Sequence, residues 1–200
     1  LTILNFYPVD SSEEISVTCE EKQRIEERMF IAGEGGPVNI IKSGEFNIIL
    51  NGMILLIRES NCEKPNIPLH ELLHALGFEH STNKNNIMYN YTNCKQTIGE
   101  DIPVLINKLY SIPNYPDLAF ENVSALMNGR YLDANITIKN FGLEISSDAK
   151  LIIKADGIEE RKIDLKPLEF GYGMIITLKN MRMNDINVEE LEFFIESDFE

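Results

Sequence analysis

The sequence predicts two folds in one chain: an α+β half with a mixed sheet and helices, then a smaller all-β half. Three observations predict this. Up to about residue 112, segments of strand period are interleaved with helical stretches that open on capping signals. Ser111-Ile112-Pro113-Asn114-Tyr115-Pro116-Asp117 carries two prolines and no periodicity, and reads as a linker. Beyond it, short alternating segments recur between turn residues, the pattern of a small β-sandwich. The expected division is therefore residues 1–112 and 117–200.

In chain order, Leu1 to Tyr7 alternates and is β-branched enough for a first strand. Thr18-Cys19-Glu20-Glu21 has capping-box form and predicts a helix to about Ala32, ended by Gly33, Gly35, Gly36 and Pro37. Val38–Ile41, Phe46–Leu50 and Met53–Arg58 read as short strands, with Asn51-Gly52 as a hairpin turn. Pro68 suits the first turn of a helix. Leu69, Leu72, Leu73 and Leu76 give that helix apolar cover, so burial is expected. Thr97-Ile98-Gly99-Glu100 is a second capping box, predicting a helix to about Tyr110.

In the second half, Tyr131–Lys139, Lys150–Ala155, Glu159–Leu165, Met174–Leu178 and Leu191–Glu196 alternate apolar and polar residues. Asn140-Phe141-Gly142, Asp156-Gly157 and Gly171-Tyr172-Gly173 supply turns. This half holds no histidine or cysteine, and its carboxylates are scattered.

The chemistry is concentrated elsewhere. All three histidines of the chain fall in His70-Glu71-Leu72-Leu73-His74-Ala75-Leu76-Gly77-Phe78-Glu79-His80. Three histidines in 200 residues take this spacing by chance in about 1 of 7,000 arrangements. On a helix, His70 and His74 lie about 40° apart around the axis and about 6 Å apart along it, so both can face one ion. Neutral imidazole suits zinc, at roughly 2.0–2.1 Å. Glu71 sits about 100° round from His70, poorly placed as a ligand and well placed as a general base. His80 can join only if the chain folds back, and Gly77 is the residue that permits it, by taking the left-handed conformation.

The run H-E-x-x-H-x-x-G-x-x-H resembles the zinc signature of metzincin proteases. Met88, eight residues past His80 in Ser81-Thr82-Asn83-Lys84-Asn85-Asn86-Ile87-Met88-Tyr89, looks like their Met-turn, and the H-S-T…I-M-Y run is most similar to the matrixin branch. The match is tight over residues 70–89 and loose over about 1–110. The resemblance implies a metzincin-like catalytic domain with a mixed sheet, an active-site helix and a C-terminal helix. It implies one catalytic zinc ion held by His70, His74 and His80, with Met88 as an apolar floor. It also implies that the last strand before the motif is an edge that binds extended substrate. The sequence departs from the family at Met88-Tyr89-Asn90-Tyr91-Thr92, where matrixins usually carry M-Y-P-x-Y. Asn90 stands where some metzincins place a tyrosine ligand. No histidine precedes His70, and no P-R-C-G-x-P-D latency segment is present. Pro116-Asp117-Leu118 and Asn140-Phe141-Gly142 resemble the cell-adhesion-related immunoglobulin-like modules of prokaryotic surface proteins.

In a metzincin topology Cys62 and Cys94 would both flank the cleft, and a Cys62–Cys94 disulfide is the expectation, with two reduced, buried thiols as the alternative. Such a loop would add roughly 3–4 kcal/mol in the chain-entropy model. Cys19 is left over, either a buried small hydrophobe or a thiolate that blocks zinc in a latent form.

Hydrophobic content of 44% is enough for a real core, and a net charge of −14 argues against nucleic acid or an anionic membrane surface as partners. No stretch approaches the ~20 apolar residues of a membrane span. The chain opens on Leu1 rather than methionine, which leaves room for an upstream signal peptide or anchor. Asn90-Tyr91-Thr92, Asn122-Val123-Ser124 and Asn135-Ile136-Thr137 match the N-glycosylation pattern. With the disulfide and the protease resemblance, they lean toward an extracellular or cell-surface location. Calcium dependence stays open, since Asp10-Ser11-Ser12-Glu13-Glu14 reads more readily as a solvated acidic loop than as a binding site.

The leading expectation is a zinc-dependent endopeptidase acting on protein or peptide substrates through a zinc-activated water, with Glu71 as general base. Two others stand beside it. One is a surface-binding protein whose β-sandwich does the work and whose zinc is structural, although a structural site has no need of Glu71. The other is a latent precursor.

Overall fold

The computed structural model describes residues 4–21, 24–26 and 29–198. They divide into two compact units: Leu1–Ile41 with Asn47–Pro113, and Lys42–Phe46 with Asn114–Glu200.

The first unit is built on a three-stranded sheet of β1 (Ile15–Cys19), β4 (Gly33–Ser43) and β5 (Phe46–Leu56), in the order β1-β5-β4. β1 runs parallel to β5, from Ile15 opposite Gly52 to Cys19 opposite Leu56. β4 and β5 are joined by a tight turn in which Gly44 takes φ 56°. The sheet is therefore mixed. β2 (Ile25–Glu26) and β3 (Met29–Phe30) form a separate antiparallel ribbon. α1 (Asn66–Ala75) and α2 (Asp101–Tyr110) complete the unit. Leu73 of α1 and Ile102 and Ile106 of α2 bury a common cluster with Ile87 and Met88.

Several expectations are corrected here. No helix covers the described residues between Thr18 and Ala32. Ile15-Ser16-Val17-Thr18-Cys19 is β-branched at three of its positions, and pairing with β5 prevails over the local capping signal. Of the first strand expected at Leu1 to Tyr7, residues 1–3 lie outside the described residues, and residues 4–7 form no strand. Pro8 follows them, Phe6 and Tyr7 are exposed, and Leu4 packs on the cluster of Leu73, Ile87 and Met88.

Asn51-Gly52 is not a turn but the middle of β5. A Cβ at Gly52 would lie 3.0 Å from the Ala75 side chain, so this glycine serves close packing of α1 on the sheet. The strand expected at the substrate-binding edge, the last before α1, is flanked by β1 and β4, and among the described residues these two are the edge strands. α2 starts three residues later than its capping box predicts, with Glu100 rather than Thr97 before its first residue. Thr97 is occupied elsewhere: its N–H bonds Asn85 O at 3.1 Å and its carbonyl accepts from Ile87 N at 2.7 Å. Cys19 is exposed rather than buried.

The second unit is all-β. β6 (Leu118–Asn128), β7 (Tyr131–Asn140) and β10 (Gly173–Arg182) form an antiparallel sheet in the order β10-β7-β6. β8 (Ala149–Ala155), β9 (Ile158–Leu165) and β11 (Leu191–Ser197) form another, in the order β11-β8-β9. Inward residues of both, Leu132, Ile136 and Ile138 from one and Leu151 and Ile153 from the other, share a fully buried core. β6 escapes simple alternation because a bulge between Phe120 and Asn122 shifts its phase.

Asn140 at the end of β7 is 0% exposed and uses every hydrogen-bonding position of its amide. Its Nδ2 donates to Glu144 O at 2.7 Å and Leu168 O at 2.9 Å, and its Oδ1 accepts from Asp117 N and Gly142 N, each at 3.0 Å. Asn140→Ala removes the partner of the buried Gly142 N–H and of the partly buried Asp117 N–H and Glu144 O, while Leu168 O keeps its bond from Ser146 N at 2.9 Å. A loss of about 2–4 kcal/mol is expected in urea denaturation, since each unpaired buried group costs about 1–3 kcal/mol before relaxation.

Candidate metal centre

α1 ends so that two histidines are oriented by the main chain. Gly77 takes φ 88°, its N–H bonds His74 O at 2.9 Å, and Phe78 N–H closes back on Leu73 O at 3.0 Å. The Phe78 carbonyl then faces His74 Nδ1 at 2.7 Å. The same arrangement serves His70, whose Nδ1 lies 2.6 Å from Ile87 O. A carbonyl only accepts, so each Nδ1 carries the proton and each Nε2 presents a bare lone pair.

Those lone pairs converge. His74 Nε2 lies 3.0 Å from His70 Nε2 and 3.2 Å from His80 Nε2. Ligands at roughly 2.0–2.1 Å in tetrahedral directions stand about 3.3–3.4 Å apart. Between His70 and His74, two nitrogens without protons cannot bond one another at such a distance, and a cation between the three rings is what the donor set fits. Among the described residues, His70, His74 and His80 form a group of this kind, graded from buried through intermediate to exposed. Burial lowers the pKa of His70 and of His74, which favours the neutral, ligating form.

Glu71 follows His70 on the helix and is 6% exposed. Burial, with a contribution from the nearby Glu34 carboxylate, pushes its pKa up to about 7. Glu34 on β4 is itself paired with Arg24, Nη1 to Oε1 at 2.9 Å, and Arg24 also holds Glu20 at 2.7 Å.

Met88 lies in the buried cluster with Leu73, its N–H on Asn86 Oδ1 at 2.9 Å and its carbonyl accepting from Ser81 N at 2.7 Å. The loop around it is clasped by Gln96, a residue the sequence pattern does not mark. Gln96 Nε2 donates to Lys84 O at 3.2 Å and Tyr91 O at 2.8 Å, on either side of Met88, and Oε1 accepts from Asn93 N at 2.8 Å. Asn66, at the start of α1, adds a bond from Nδ2 to Asn93 O at 2.8 Å. Cys62 and Cys94 are joined, S–S 2.02 Å, and tie the approach to α1 to the same loop. Gly33 and Gly35 of β4 lie against Glu71. The sequence shows them only as helix breakers, although glycine inside a strand also marks a close backbone approach.

Three imidazoles converging from a helix and its return loop, two of them held by main-chain carbonyls, form a donor set that suits a metal ion. The family described as Matrixin matches residues 7–111, more than half of the chain. The chain belongs to the matrixin family of zinc metallopeptidases. No curated protein and no solved structure matches it.

Proposed function

We propose that the chain is a zinc-dependent endopeptidase, with His70, His74 and His80 as ligands and Glu71 as general base. The observation that carries this is the convergence of the three Nε2 atoms of His70, His74 and His80 with the buried Glu71 next to His70 on α1. When bound, zinc supplies the Lewis acidity that polarises the scissile carbonyl and acidifies the attacking water. Glu71 takes the proton of that water and passes it to the departing amine. A carboxyl with a pKa near neutrality is suited to both transfers. The main chain of β4, at the sheet edge, offers donors and acceptors to an extended substrate. Gly77 and Met88 shape the site without touching the ion.

The same reading assigns residues 1–112 to catalysis and residues 117–200 to an immunoglobulin-like sandwich module. Two antiparallel three-stranded sheets closed over one core support that module. The disulfide and the family favour an extracellular or cell-surface location. Among the described residues no helix is long and apolar enough to cross a membrane.

Wild type and Glu71→Ala, compared for bound zinc and for casein cleavage, test the proposal. The expected result is one equivalent of zinc in both and a fall in cleavage of about 10²–10⁴-fold in the variant. Zinc in both with equal cleavage removes Glu71 from the mechanism. Failure of wild type to bind zinc after reloading sinks the metal assignment. Zinc in both with no cleavage by either favours a binding module with a structural ion.

A further inference from the structure

Gly33 and Gly35 stand two apart on β4 and therefore on the same face of the strand. Both meet the same residue. A Cβ built at Gly35 would lie 2.2 Å from Glu71 O and 2.8 Å from Glu71 C and Cα. That is main chain against main chain, and any side chain there forces β4 away from α1. A Cβ at Gly33 meets a different part of Glu71, lying 2.8 Å from Cγ, 2.9 Å from Oε1 and 3.0 Å from the Leu55 carbonyl. Carbon contacts settle at about 3.5–4.0 Å, so something must yield by several tenths of an ångström or more. Leu55 O belongs to the sheet. The Glu71 carboxylate turns on rotatable bonds and is the group that moves.

We propose that Gly33 is a positioning residue for Glu71: its bare Cα is the surface against which the carboxylate is seated. The consequence for rate rests on the peptidase reading, but the seating itself does not. Gly36, three residues on, provides a control, because a Cβ there meets nothing within 4 Å.

The test is a double-mutant cycle with Gly33→Ala, Glu71→Ala and both together, and with Gly36→Ala beside them. In zinc-free protein, Gly33→Ala lowers Tm by about 5 °C in the wild-type background. In the Glu71→Ala background the loss shrinks to about 1 °C, because the side chain it collides with is gone. Any strain against Leu55 O is common to both backgrounds and cancels. In zinc-loaded protein, Gly33→Ala keeps its zinc affinity within about twofold and loses about 10- to 100-fold in kcat on casein with KM little changed, as a displaced catalytic group should. Gly36→Ala changes none of these.

An equal Tm loss in both backgrounds overturns the proposal, since Gly33 would then serve only the strand. A Gly33→Ala protein with undiminished kcat also overturns it, when wild type cleaves casein. If wild type does not cleave casein, the peptidase reading fails, and the stability cycle still decides whether Gly33 seats Glu71.

Discussion

His70→Ala weakens zinc binding by about 10³-fold and also destabilises the zinc-free protein, whereas His80→Ala does only the first. A three-ligand site whose full binding energy is of order 10–16 kcal/mol loses about 4 kcal/mol with one ligand, which is about 10³-fold. The two histidines differ in what they do without the ion. His70 is buried and its Nδ1–H donates to Ile87 O at 2.6 Å. Its removal leaves that carbonyl unpaired beside Met88, at a cost of about 1–3 kcal/mol. His80 is exposed, so truncating it uncovers nothing. Zinc affinity read by competition with a chromogenic chelator, and melting in excess chelator, separate the two effects. Equal melting temperatures for the two variants in chelator would show that the Ile87 carbonyl does not depend on His70.

The site was legible because its residues lie within one helix and the turn that follows, where spacing converts directly into geometry. The supports of the site were less legible, because they come from distant segments. Gln96 is an ordinary polar residue in the sequence. Its role appears only once Lys84 O and Tyr91 O are brought to either side of its amide. The main-chain carbonyls of Ile87 and Phe78 that orient the ligands have no side-chain signature at all.

The fold shows where local signals yield to tertiary ones. Asn51-Gly52 has the chemistry of a hairpin turn, yet β5 runs through it because Ala75 of α1 packs on the bare Gly52. Gly33, Gly35 and Gly36 read as the end of a helix and instead open an edge strand. Thr18 has a capping residue's chemistry, but the β-branched run from Ile15 finds a parallel partner in Gly52–Leu56. The second half was easier: β7 alternates cleanly over a core buried on one face, and β8 and β11 bring Leu151, Ile153, Phe193 and Ile195 to the same core. β6 was missed because its bulge at Glu121 breaks the alternation: Leu118 and Phe120 before it and Met127 after it pack on the core, so the core-facing residues do not keep one phase.

Cys62→Ser/Cys94→Ser removes about 3.7 kcal/mol of stability while leaving zinc affinity nearly unchanged. The joined cysteines are 32 residues apart. Closing a loop of that length in the unfolded chain accounts for the figure in the chain-entropy model. Against a typical domain stability of about 5–15 kcal/mol, this is a large share. The folded site should be little disturbed, because the two segments remain tied by Asn66 Nδ2 on Asn93 O and Gln96 O, and the loop is held within itself by the three side-chain bonds of Gln96. The variant thus separates stability from binding in the direction opposite to His80→Ala, which loses zinc and keeps its fold. Urea denaturation in chelator, with and without dithiothreitol, provides the measurement. Wild type should shift to the midpoint of the variant on reduction, and the variant should not respond. A wild type indifferent to dithiothreitol would mean that the pair is not oxidised in the folded protein, and the argument for an oxidising compartment would fall with it.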